Sequence, residues 1–73
     1  MPGWMKPVFS SMISEVGWDD ETQELLVKFS KNGKTAAYKG ADEGLAEDLS
    51  KAPSVGQMFL SEVKPFYTDF RYL

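Results

Sequence analysis

The chain has 73 residues with a formal net charge of −3, and it contains neither cysteine nor histidine. That length makes one small domain, and it excludes a disulfide framework or a Cys/His zinc site as a supplement to the core. The ten aromatic side chains (two Trp, three Tyr, five Phe) must supply the apolar surface instead.

Residues 1–8 read as a flexible arm. Pro2, Gly3 and Pro7 oppose regular structure there, although Trp4 and Met5 lie among them. No apolar run near the start has the form of a signal peptide, and none nears the roughly 20 residues of a membrane helix. A soluble cytoplasmic protein is expected. A first strand follows over about Met12 to Trp18, with Met12, Val16 and Trp18 on one face and Ile13 on the other. That imperfect alternation allows a bulge. Asp19, Asp20 and Glu21 form a polar turn that lacks the spaced ligands and glycine of a calcium loop, so no metal site is expected.

Glu24 to Phe29 is the clearest strand, with Leu25, Val27 and Phe29 alternating with Leu26 and Lys28. Asn32-Gly33 is a strong hairpin signal. A two-residue loop there sets Phe29 against Ala36, Val27 against Tyr38 and Lys28 against Ala37. Asp42 to Lys51 reads as a helix with Leu45, Ala46, Leu49 and Ala52 inward and acids in its first turn. Pro53 separates it from a second helix, which starts at a Ser54–Gln57 capping box and carries Val55, Met58, Phe59 and Val63 on one face. Pro65 stops that helix, leaving residues 68–73 as a short aromatic tail. The expected fold class is α+β: a three-stranded antiparallel meander followed by two short helices packed on one face, with the other face and one edge open.

With these elements placed, the chain resembles the KTSC family, a short domain named after the C-terminus of certain lysyl-tRNA synthetases. The likeness is carried by Ser10-Ser11 with Ile13, by Gly17-Trp18-Asp19, by Leu25, Val27, Phe29 and Gly33, and by Ser54, Gly56, Phe59 and Val63. It closes near Tyr67, so residues 9–67 form a single KTSC-like domain. Two positions depart from the family pattern. A central Tyr-x-Tyr becomes Ala36-Ala37-Tyr38, and a Val-Pro becomes Ala41-Asp42. The resemblance implies RNA binding only by association with the synthetase. The small, acidic, free-standing form also resembles a phage-encoded regulator that binds bacterial RNA polymerase, a likeness of size and setting tied to no motif.

Residue chemistry points away from catalysis. Without histidine or cysteine a general base needs a strongly shifted carboxylate or lysine, and Ser10-Ser11 has no base to activate it. No catalytic residue, metal or cofactor is expected. Two binding readings remain. Trp4, Met5, Val8 and Phe9 place large apolar groups on a weakly structured segment, as anchors for a protein partner. Trp4 could equally fold back to cap the core. Phe70 and Tyr72 can join such a surface, and an open edge strand would accept a partner's extended segment. Alternatively Lys28, Lys31, Lys34 and Lys39 around Tyr38 could contact phosphate and stack a base, against the opposition of the net negative charge. The leading expectation is a monomeric, non-enzymatic module that binds bacterial RNA polymerase and modulates initiation and termination. The runner-up is an RNA- or tRNA-binding module.

Overall fold

Strand alternation builds the centre of the sheet, and long-range pairing extends it at both sides. The computed structural model describes residues 3–73. Its strands are β1 (Trp4–Pro7), β2 (Ile13–Asp19), β3 (Glu24–Phe29), β4 (Thr35–Tyr38) and β5 (Phe70–Tyr72). They form one antiparallel sheet in the order β1-β2-β3-β4-β5. Between β4 and β5 lie α1 (Glu43–Lys51), α2 (Val55–Met58) and a π-helical turn over Phe59–Val63. The fold is α+β, but with five strands rather than the three expected. Among the described residues no helix is long and apolar enough to cross a membrane.

The two added strands come from segments assigned to an arm and a tail. Trp4–Pro7 pairs with β2, setting Trp4 opposite Trp18 and Pro7 opposite Glu15. Phe70–Tyr72 pairs with β4, setting Phe70 opposite Tyr38 and Tyr72 opposite Ala36. Both are edge strands, where a proline or a very short run is tolerated because one side needs no ladder partner.

In the central hairpin, Leu25 lies opposite Tyr38 and Val27 opposite Ala36, while Lys28 faces Thr35. The expected register is therefore off by two. Phe29 N–H donates to Lys34 O (2.9 Å) and Gly33 N–H to Phe29 O (3.0 Å), closing a four-residue loop in place of a two-residue turn. Gly33 takes φ +70°, and Asn32 Oδ1 accepts from Lys34 N–H at 3.0 Å. Because strand side chains have a period of two, a shift of two leaves every residue on its expected face. In β2 the register slips between Ile13 and Glu15, a bulge that turns Ile13 onto the same face as Val16 and Trp18.

That face forms the core. Ile13, Val16, Trp18, Leu25, Val27, Ala36 and Tyr38 pack with Ala46 and Leu49 of α1, and with Val55, Phe59 and Val63 of the second helical segment. Asp42 caps α1 by accepting Leu45 N–H on Oδ1 at 2.8 Å. The capping box at Ser54 does not form: that side chain makes no cap bond, and its backbone oxygen takes Met58 N–H instead. Val55, Phe59 and Val63 recur at intervals of four, and the helix widens to a π turn from Phe59, with Lys64 N–H reaching Phe59 O at 2.9 Å.

Candidate partner groove

β5 places two rings beside the core rather than within it. Tyr38 stacks on Phe70 with centroids 5.0 Å apart, and Phe70 meets Tyr72 edge-on at 5.6 Å. Across from them, Phe59 of the π turn packs edge-to-face on both Phe29 and Tyr38, each at 5.7 Å. Between β5 and the π turn lies an open groove of about 380 Å³, with Phe29, Tyr38, Phe59, Leu60, Phe70 and Tyr72 in its walls. Leu60, Phe70 and Tyr72 are exposed along it. Phe66 and Leu73, also exposed, lie in the same C-terminal stretch of chain.

The charged side chains in the lining of the groove and of the hollow beside it are lysines. Lys64 lines the groove together with Thr68 and Phe70. Lys34 Nζ lies 5.6 Å from the Tyr72 ring centroid, within cation–π range. Lys31 lines an adjoining hollow that shares Met12, Phe29 and Tyr72 with the groove. Neither lining includes a carboxylate, and among the described residues none of these three lysines forms a salt bridge.

The residues expected to bind nucleic acid differ in their surroundings. Lys31, Lys34 and Lys39 are exposed. Lys28 is half-buried and paired across strands with Glu15 at 3.5 Å. Tyr38 is buried, and burial first, with the neighbouring Tyr72 second, pushes its hydroxyl up to about 12. A base cannot stack on a ring already sandwiched between Phe59 and Phe70.

The expected protein anchors also separate. Trp4 and Val8 are half-buried and packed on the core, and Trp4 Nε1–H donates to Glu43 Oε2 at 2.9 Å. Trp4 thus folds back over the core. Met5 is exposed on the opposite sheet face, beside Gly17, and Phe9 is fully exposed. Elsewhere, charged and polar groups serve the backbone or each other. Asp19 Oδ1 accepts Glu21 and Thr22 N–H, and Asp20 Oδ1 accepts Gly3 N–H. Ser10 Oγ accepts from Met12 and Ile13 N–H. Glu24, 1% exposed, receives Arg71 Nη2–H at 2.8 Å and Nε–H at 3.3 Å. The Arg71 hydrogen bonds first, and Thr22 second, hold its carboxyl below the ordinary value of 4.5. Among the described residues no cluster of three metal-ligating side chains is present.

Leu60, Lys64 and Phe66 carry no functional signal in the sequence. Leu60 and Lys64 become neighbours of Phe70 only through the β4–β5 pairing.

Comparison with known proteins places the whole arrangement. No curated protein matches the chain. A KTSC domain protein from Yersinia pestis, known from its crystal structure, is similar at a TM-score of 0.83 and 28% identity, over 97% of each chain. The KTSC domain model matches residues 9–67, which leaves β1 and β5 outside it while the structural likeness extends beyond those bounds. With most of its length matched in this way, the chain belongs to the KTSC domain family.

Proposed function

We propose that this chain is a non-enzymatic protein-binding module that docks through the groove between β5 and the π turn. One observation carries the reading. Of the seven large apolar residues exposed among those described, three (Leu60, Phe70, Tyr72) line the groove and two more (Phe66, Leu73) lie in the same C-terminal stretch. Exposed apolar side chains gathered on a concave surface mark interaction sites, and aromatic anchors dominate their energies. The absence of histidine and cysteine, together with carboxylates already engaged as caps and ion pairs, supports a role other than catalysis.

The partner we assign is bacterial RNA polymerase, reached through the likeness to a small phage regulator. Binding would act by occupancy in the bacterial cytoplasm, biasing the polymerase's association with initiation and termination factors. RNA or tRNA binding is the second reading. It is favoured by Lys34 lying beside the exposed Tyr72 ring, and opposed by buried Tyr38 and the net charge of −3.

Capture from bacterial lysate on the immobilised chain, with and without nuclease, tests the assignment. Nuclease-resistant recovery of polymerase subunits, reduced by Tyr72→Ser, is the expected result. Nuclease-sensitive recovery of RNA instead would favour the second reading, and recovery of no polymerase subunit would end the first.

A further inference from the structure

The two edges of the sheet are not equivalent. In β1, Val8 N–H bonds to Ser14 O (3.0 Å), which fixes Trp4, Lys6 and Val8 as the residues whose backbone groups face β2. Met5 and Pro7 therefore face outward, and Pro7 has no N–H to offer. At the other edge, Lys39 N–H bonds to Asp69 O and Leu73 N–H to Thr35 O, so Asp69, Arg71 and Leu73 face β4. Phe70 and Tyr72 turn both their N–H and C=O groups away from the sheet. Their side chains lie on the groove face, alongside Tyr38 and Ala36 respectively.

Resting on the protein-binding reading above, we infer that the β5 edge accepts an extended acidic peptide segment of a partner as a sixth, antiparallel strand. Phe70 and Tyr72 exchange main-chain hydrogen bonds with two alternate residues of that segment. The apolar side chains of those two residues enter the groove between Phe59, Leu60 and the β5 rings. Lysines border this surface: Lys64 lines the groove with Phe70, Lys34 lies over the Tyr72 ring, and Lys31 lines the adjoining hollow with Tyr72. They select a segment with Asp or Glu flanking its apolar pair on the same face. A second copy of this chain is the poorer occupant. Two β5 edges meeting about a two-fold axis would bring these lysines toward their own copies, with no carboxylate in either lining to offset them.

The test is an NMR amide titration of the full chain with the acetylated, amidated peptide Asp-Thr-Val-Thr-Phe-Thr-Asp. Its alternate residues put Val and Phe in the groove with Asp at either end. The expected result is shifts centred on Phe70 and Tyr72, and binding at least about tenfold weaker when both Asp are changed to Lys. Methylating the Val and Phe backbone nitrogens should abolish it. Lys34→Glu and Lys64→Glu, both exposed substitutions, should each weaken the acidic peptide and strengthen the lysine one. Four results would overturn the inference: shifts centred on β1, no preference between the two peptides, tighter binding of oligouridylate at the same residues, or concentration-dependent shifts of Phe70 and Tyr72 without peptide. Polymerase capture undiminished in Lys34→Glu/Lys64→Glu would refute selection of an acidic strand by these lysines while leaving the module's protein-binding role intact. Absence of capture by the parent chain, with the peptide still bound at β5, would remove the polymerase assignment alone.

Discussion

Gly17→Ala tests whether β1 lies against β2 as a true strand. Gly17 stands opposite Met5, in a pair that exchanges no backbone hydrogen bonds, where Cα atoms approach to about 4.5 Å. A Cβ built on Gly17 would sit 2.2 Å from Met5 Sδ and 2.2 Å from the Trp4 carbonyl oxygen. The thioether can swing aside, since Met5 is exposed. The carbonyl cannot, because it belongs to the strand itself. Restoring ordinary contact near 3.5 Å requires β1 to withdraw by roughly 1 Å, enough to stretch its bonds to β2 past useful length. Overpacking of this kind costs about 1–3 kcal/mol. In a domain of this size each kcal/mol lowers Tm by about 4–8 °C, so a fall of roughly 5–20 °C is expected. Thermal unfolding by circular dichroism measures it, and amide exchange locates it, with Lys6 and Val8 losing protection before the β3–β4 hairpin. A variant that melts with the parent and keeps those amides protected would refute the placement of β1.

Three further outcomes are expected. Asp42→Ala should cost about 0.5–2 kcal/mol by removing the cap at Leu45, whereas Ser54→Ala, which loses no cap bond, should unfold with the parent in urea. Glu24 should make the fold acid-sensitive. Its carboxyl lies below 4.5 when folded, so the unfolded chain takes the proton first; the stabilisation is complete above that value and is lost as pH falls through the folded one. Acid unfolding of Glu24→Gln should show a correspondingly shallower dependence below pH 4.5. Tyr38 works in the opposite direction, since its hydroxyl is raised from 10.0 to about 12. Stability is full below pH 10.0 and declines as pH rises toward about 12, with ultraviolet titration showing one late tyrosine that Tyr38→Phe removes.

Local patterns announce the parts of this fold that local physics decides. α1 is legible because Asp42 is a good cap and Leu45, Ala46 and Leu49 share a helical face. The faces of β3 and β4 are legible because alternation survives a register error of two. The loop itself is not, since Asn32-Gly33 serves equally a two-residue turn and the end of a four-residue one. β1 is hidden by Pro7, which reads as a breaker until the strand is known to be an edge. β5 is hidden by its brevity: three residues earn their conformation from pairing with β4, more than thirty positions upstream. The groove inherits that difficulty. Its walls run from Met12 to Tyr72, and only the sheet brings Phe70 alongside Leu60. Trp4 leaves two readings open in the sequence, anchor or core cap, because only the tertiary fold brings its indole N–H to Glu43.

Pro7 has a consequence for assembly beyond partner choice. A head-to-tail array, in which β5 of one molecule templates β1 of the next, would need a continuous row of donors on β1, and the proline interrupts it. That route is disfavoured from its first step, so a chain whose β5 edge is open is still protected from becoming a fibre.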